Sequence, residues 1–332
     1  MSENLTTGAL ASAISPSKFL EAKKKVYLIE LNLLMQNSTY LPAVSGLLNA
    51  YADTFPEIKE NYEFMPYIYH RDKVETILNK IKDPDVVGFS SSMWNANLSL
   101  AISKEVKKQF PNCLIVFGGP SSPNRSETFL EEHKEIDITT RGEGEQTFVE
   151  ILKRNLSSRD FANIPAITYR LDGKIIRNEQ EVEKRKDLDL YPCAYANGYF
   201  DKLLETEKIN FQAIIETNRG CPFGCKFCYW GSELNTKYKF FGMERIRKTI
   251  EWIRDKKIQY VFCADANFGL FKRDLEIAQW LVDAKNSIGS PEKFRVCYSK
   301  NQEDTVFQIG KLLADNKLEK GVQFRVVNVM ER

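Results

Sequence analysis

The chain has 332 residues, of which 43% are hydrophobic and 28% charged, a length that suits two ordinary domains and exceeds one core. Its 47 lysines and arginines nearly balance 45 aspartates and glutamates, for a net charge of +2. That balance removes the electrostatic case for nucleic acid or an anionic membrane surface as partner, and no apolar run approaches the roughly 20 residues a membrane span needs.

Residues 1–24 are polar and rich in small side chains, without a basic stretch followed by an apolar one. They read as a disordered lead-in rather than a signal peptide. A chain without an export signal is expected in the cytoplasm, where its seven cysteines serve metals or chemistry rather than disulfides.

From residue 25 to about 155, short apolar strands alternate with amphipathic helices. Strands are expected at residues 26–31, 63–69, 86–90, 114–117 and 136–140. The first helix follows Pro42 and is expected to bury Val44, Leu47, Leu48 and Tyr51. The next carries Val74, Ile77, Leu78 and Ile81. Further helices are expected at 95–110, 126–132 and 145–154. The third strand is continuously apolar, as a strand covered on both faces should be. Five strands alternating with helices predict an open parallel sheet, since each parallel crossover needs a covering helix. Asp172-Gly173 between residues 167–170 and 174–177 is a hairpin signal. The sheet and hairpin together are expected as a domain over 25–177, and the aperiodic 178–210 as a connector.

The alternation resumes at residue 211, opening a second domain over 211–332. Strands are expected at 213–217, 260–264, 294–299 and 322–327, with helices at 243–256, 274–286 and 305–315. Ile246, Ile250 and Ile253 should face inward. The chain stops at about the fourth strand, so a β/α barrel truncated before closure is expected.

Three of the seven cysteines fall within eight consecutive residues, as Cys221-x-x-x-Cys225-x-x-Cys228. They sit on one loop after a strand, with Gly220, Pro222 and Gly224 shaping the turn. Three thiolates on a 4Fe–4S cube leave one iron open to another ligand. A structural zinc site wants four ligands, commonly as two Cys-x-x-Cys pairs, and no second pair is present. A ferredoxin cluster wants a fourth cysteine, for which Cys263 is the candidate. Cys113, Cys193, Cys263 and Cys297 otherwise read as buried core thiols.

This motif, with aromatic Phe227 before its last cysteine and a strand before its first, resembles the radical SAM superfamily. The resemblance implies that S-adenosylmethionine (SAM) chelates the open iron and is cleaved reductively to methionine and a 5′-deoxyadenosyl radical, with an electron donor such as flavodoxin or ferredoxin as partner. Asp265 and Asn267 end the next strand, where a β/α barrel places its active site. They either face the cofactor or form a turn with a helix cap. Ser299, Lys300 and Asn301 end the third strand and carry a weaker version of the same argument. Arg219 faces either substrate or a neighbouring carboxylate.

In the N-terminal sheet, Ser90, Ser91, Ser92 and Trp94 follow the third strand, Gly118 and Gly119 the fourth, and Gly142, Glu143, Gly144 and Glu145 the fifth. Ligands of open parallel sheets bind beyond such strand ends. A Gly-x-Gly-x-x-Gly dinucleotide loop and a phosphate loop are both absent. Joined to the cysteine motif, the pattern resembles the cobalamin-binding radical SAM family. That resemblance implies a flavodoxin-like, Rossmann-like open sheet followed by a partial radical SAM barrel, with Ser90, Ser91, Gly118, Gly119 and Gly142 near cobalamin. The Asp-x-His-x-x-Gly element that ligates cobalt in some cobalamin proteins is replaced by Glu30-Leu-Asn-Leu-Leu-Met, and His70 and His133 read as surface or capping residues. The function implied is methyl transfer from SAM by way of cobalamin to an unactivated centre of a small-molecule or natural-product substrate. The alternatives are a non-catalytic cofactor-binding remnant and other radical SAM chemistry, namely cyclisation, methylthiolation or epimerisation. Methylthiolation is weakened by the lack of a second cysteine trio.

Overall fold

The computed structural model describes residues 22–182, 186–223, 228, 237–300 and 302–319. The first half begins with β1 (Lys24–Asn32), β2 (Ser38–Tyr40), α1 (Ala43–Ala52), α2 (Pro56–Asn61), β3 (Tyr62–Phe64), β4 (Ile68–His70) and α3 (Val74–Leu78). It continues through β5 (Val86–Ser90), α4 (Ala96–Gln109), β6 (Leu114–Gly118), α5 (Glu127–Glu132), β7 (Ile138–Thr140) and α6 (Gly144–Ser157) to the hairpin β8 (Ile167–Leu171) and β9 (Lys174–Arg177).

These strands, β2 excepted, form one sheet. β3 and β4 both pair with β1, followed by β5, β6 and β7, all parallel, and the hairpin adds two antiparallel strands beyond β7. The sequence pattern predicts one strand over 63–69. Two short ones form instead because Pro66 lies between them and has no N–H for the ladder. Counted as one, β3 and β4 give the flavodoxin-like order 2-1-3-4-5, whose switch point falls between β1 and β5. Asp172 and Gly173 both take positive φ, 47° and 76°, as the twist of a two-residue hairpin turn demands.

One face of this sheet packs Tyr27, Ile29 and Phe89 against Ile77, Ile102, Val106 and Leu130 of α3, α4 and α5. The other packs Val26, Leu28 and Val116 against α1, α2 and α6, in a core that runs on into the second half. The expected face of α1 turns inward except at Val44, with Tyr51 buried and Leu47 and Leu48 packed against the core. Val44 is 46% exposed, and Ser45, Gly46, Ala50 and Ala52 are buried beside Tyr51. Phe200 packs on this helix, its ring so close to Gly46 that a Cβ there would meet it at 2.2 Å. Residues 188–200, inside the expected connector, bury Leu188, Tyr191 and Phe200 completely, with the Tyr191 ring 5.0 Å from that of Tyr51 and Tyr195 5.2 Å from Trp252.

The second half comprises α7 (Asp201–Thr206), β10 (Asn210–Ile215), β11 (Asn218–Arg219), β12 (Lys239–Phe240), α8 (Met243–Asp255), β13 (Tyr260–Cys263), α9 (Arg273–Ile288), β14 (Lys293–Arg295) and α10 (Glu303–Asp315). Its sheet runs β14-β13-β10-β2, all parallel. β2 therefore crosses from the first half to pair beside β10, and no periodicity announces it. Ile246, Ile250 and Ile253 of α8 are buried as expected. The β14 strand is shorter than its apolar run, though a Phe268–Tyr298 bridge prolongs the pairing. The expected strand at 322–327 lies outside the described residues. No helix among the described residues is long and apolar enough to cross a membrane.

Candidate functional site: a three-cysteine loop and its stem

β10 ends at Ile215 and the chain turns into β11, which pairs antiparallel with β12 through Asn218↔Phe240 and Arg219↔Lys239. This two-stranded stem brackets the cysteine run. Gly220 turns the chain with φ 108°, a conformation that side chains with a Cβ avoid. Cys221 is buried directly beyond it and Cys228 is half-buried. Cys225 and Phe227 lie outside the described residues, and among the described residues no group of three or more metal-ligating side chains is gathered.

Asp265 follows β13 and is buried. Its two carboxylate oxygens accept hydrogen bonds from the backbone N–H of Thr217 (2.8 Å), the amide Nδ2 of Asn218 (2.8 Å), the backbone N–H of Asn218 (3.3 Å) and the Thr217 hydroxyl. Desolvation pushes its pKa up to about 7 against those bonds. Asp265 thus ties the end of β13 to the corner from which the cysteine loop departs. Asn267 stands closer to the thiols. Its Nδ2 donates to Cys221 Sγ at 3.3 Å and to the Tyr238 hydroxyl at 3.0 Å, so one amide joins both ends of the loop. Ser299 comes to the same place, its N–H donating to the Phe268 carbonyl at 2.8 Å, and Asn301 lies outside the described residues.

Of the remaining cysteines, Cys113 and Cys263 are buried and burial pushes both thiols up, Cys113 to about 12 and Cys263 well above the usual range. That disfavours the thiolate a metal ligand requires, and Cys263 belongs to the apolar core. Cys193 lies 3.1 Å from the Thr249 hydroxyl. Cys297 corrects the expectation of a core thiol, being exposed, because its strand ends before it.

The turn after β7 meets the stem of this loop through Glu143 and Glu145, and β6, β5 and β1 follow β7 in the sheet. Ser91 is buried, and its N–H donates to Gly118 O at 2.7 Å while its carbonyl accepts from Ser121 N–H at 3.0 Å. Gly119 has φ 95°, and a Cβ there would lie 2.6 Å from Ser91 O; one at Gly118 would lie 2.7 Å from the Thr140 hydroxyl. Gly142 has φ 70° and open space around it. Ser90 ends β5, half-buried.

Sequence reasoning missed Asn95, which accepts from Ser92 N–H at 2.8 Å and donates to Leu31 O at 3.2 Å and Ser90 O at 3.0 Å. It fastens the β1 and β5 ends together at the switch point. There the chain shows large apolar side chains to solvent. Leu33, Leu34 and Met35 after β1 are about half exposed, Met93 is 87% exposed and Trp94 50%. The signal was available, since apolar residues directly beyond a strand end have no sheet to cover. Neither histidine lies in these loops. His70 ends β4 beside Asp72, with burial lowering its pKa, and His133 caps the C-terminus of α5.

Arg219 resolves in favour of carboxylates. Its guanidinium lies 2.7 Å from Glu145, 3.0 Å from Glu216 and 3.6 Å from Glu143, between the rings of Tyr191 and Phe241. Those neighbours raise its pKa despite burial. Lys239 on the facing strand binds Glu143. The Gly142–Glu145 turn, expected as a crevice loop, is therefore also where the two halves join.

An open parallel sheet of flavodoxin-like order, joined through the turn after β7 to a β/α half that carries a three-cysteine loop, defines a two-part α/β protein. The B12 binding domain family matches residues 60–152. The chain is 36% identical over 304 residues to a 2-(S-pantetheinyl)-carbapenam-3-carboxylate methyltransferase of Streptantibioticus cattleyicolor and 35% identical over 302 residues to the cobalamin-dependent radical SAM methyltransferase TokK of Streptomyces tokunonensis. Each alignment covers 90% of this chain and 44% of the relative, so the chain spans less than half the length of these relatives. Over 90% of its length the chain is thus similar to members of the cobalamin-binding radical SAM family. In fold it is similar to the cobalamin-dependent S-adenosylmethionine radical enzyme OxsB, with TM-score 0.65 at 19% identity over 90% of this chain and 43% of that one. It is likewise similar to the radical S-adenosylmethionine methyltransferase TsrM of Kitasatospora setae, with TM-score 0.64 at 15% identity over 89% of this chain and 57% of that one.

Proposed function

We propose that the chain is the cofactor-bearing part of a cobalamin-dependent radical SAM methyltransferase, acting on an unactivated centre of a small molecule. The observation that carries this reading is the joint at which Glu143 and Glu145, in the turn after β7, meet Arg219 and Lys239 on the stem of the cysteine loop. The residues present fit both cofactors. Gly118 and Gly119 let the strand-end loops pack closely, a Cβ at either meeting Thr140 or Ser91, and Leu33, Leu34, Met35, Met93 and Trp94 offer an apolar floor for a large, flat ring. Cys221, Cys225 and Cys228 supply three thiolates and leave one iron free.

In this reading residues 25–177 hold cobalamin, residues 211–332 hold the cluster and SAM, and 178–210 connect them. Cobalamin sits near Ser90, Ser91, Gly118, Gly119 and Gly142. Asn267 donates to a ligand sulfur, and Phe227 flanks the cofactor. Asp265 orients the strand corner and is less suited to meet SAM, because its oxygens already have partners. When bound, the cluster supplies the electron that cleaves SAM and cobalamin carries the methyl group. The protein's part is to hold both within one water-poor crevice. A flavodoxin- or ferredoxin-type donor, a natural-product-like substrate and a cytoplasmic location complete the proposal. The carbapenam named for one relative supports a small-molecule acceptor.

The test is anaerobic reconstitution of the chain with iron, sulfide and hydroxocobalamin. About four irons and one cobalt per chain, with a reduced-cluster EPR signal that SAM perturbs, are expected. In Cys225→Ala that signal should disappear while cobalt is retained. Zinc in place of iron, no cobalt, or an unchanged signal in the variant overturns the reading.

A further inference from the structure

The stem of the cysteine loop contains an electrostatic conflict. Arg219 and Lys239 are directly opposite each other on β11 and β12, and like charges at such a cross-strand pair repel. Neither side chain escapes to water, the Lys239 and Arg219 side chains being almost wholly covered. Two strands of two residues each have few backbone bonds with which to oppose that repulsion.

Glu216, at the foot of the stem, lies 3.0 Å from Arg219, but the charge that compensates Lys239, and the rest of that for Arg219, comes from the other half. Glu143, in the turn after β7, contacts both cations, binding Lys239 Nζ and lying 3.6 Å from Arg219. Glu145, buried in the first turn of α6, adds its contact to Arg219 at 2.7 Å. Buried ion pairs cost desolvation and are poor stabilisers compared with apolar packing. Their value at this seam is geometric, since five charges (Arg219, Lys239, Glu143, Glu145 and Glu216) must meet with opposite signs in contact.

We propose that Glu143 and Glu145 are positioning residues that hold the cysteine-loop stem closed, so that β11 and β12 stay paired only when the turn beyond β7 is seated against them. The relevance to a cluster rests on the function proposed above; the closure of the stem does not.

The experiment therefore reads the metal-free full chain first, by hydrogen–deuterium exchange at the amides of β11 and β12. Glu143→Gln is expected to speed exchange there by about tenfold, equivalent to 1.4 kcal/mol, while β5 and β6 stay protected. Glu143→Gln combined with Lys239→Met removes the repulsion together with its compensation and should restore the wild-type rate. Loss of a folding contact alone would not be rescued in this way. In reconstituted protein, Glu143→Gln should surrender iron to a chelator faster, with the same rescue. Unchanged stem exchange in Glu143→Gln, or a double variant as labile as the single one, overturns the proposal. Should Glu143→Gln fail to fold, Lys239→Met alone decides: wild-type stem exchange supports the clasp, and opening of the stem refutes the repulsion on which it rests. Failure of the wild type to bind iron would sink the cofactor reading and leave the exchange result standing.

Discussion

Gly119→Ala tests the crevice at its tightest point. The residue has φ 95°, and its new Cβ would lie 2.6 Å from Ser91 O and 3.0 Å from Ser91 N. Positive φ costs a residue with a Cβ about 1–2 kcal/mol. The clash is with backbone, so relief requires the loop after β6 to move from the loop after β5. Two bonds hold them there, Ser91 N–H to Gly118 O at 2.7 Å and Ser121 N–H to Ser91 O at 3.0 Å, worth roughly 1 kcal/mol each. The expected loss is about 2–4 kcal/mol, measured as the urea midpoint of the metal-free chain, with a parallel loss of cobalamin retained after gel filtration. Gly142→Ala is the control, since its φ is 70° but nothing lies within 4 Å of the added Cβ, so only the 1–2 kcal/mol of backbone strain applies, about. Equal destabilisation by the two variants, within about 0.5 kcal/mol, refutes the argument from close approach.

Glu30 is buried in β1, accepting from Ser45 N–H at 2.9 Å and Ser45 Oγ at 3.1 Å, and desolvation pushes its pKa up to about 7 from an ordinary 4.5. A carboxyl that binds its proton more tightly folded than unfolded makes the fold less stable as pH rises from about 4.5 to 7. Glu30→Gln should therefore stabilise the chain above pH 7 by up to roughly 3 kcal/mol, less any cost from the Ser45 bonds, and the gain should vanish near pH 4.5; melting curves showing a pH-independent difference would refute this. Asn267→Leu removes the donor to Cys221 Sγ. A hydrogen bond to a ligand sulfur favours the reduced cluster, so the midpoint potential should fall by roughly 40 mV, the one-electron equivalent of about 1 kcal/mol. A redox titration followed by EPR that finds no change removes this role from Asn267.

What the sequence by itself determined is local. The apolar run of β5, the Asp172-Gly173 hairpin, the inward isoleucines of α8 and the tight spacing of the three cysteines follow from periodicity, turn chemistry and covalent proximity, which need no distant partner. Even the break between β3 and β4 is written in Pro66, though hydropathy alone reads through it. The tertiary structure decided the rest. β2 pairs with β10 through Asn210↔Ser38 and its neighbours, and backbone hydrogen bonds between segments so far apart in the chain carry no residue code. The close packing of Gly46 on α1 was set by Phe200, and the partners of Asp265 by the corner at Thr217 and Asn218. Arg219 illustrates the division best. Its sequence position beside Cys221 allows a carboxylate or a substrate as partner. The choice of Glu143 and Glu145 was made by the packing of one half on the other, because Coulomb attraction depends on distance in space and burial rather than on order along the chain.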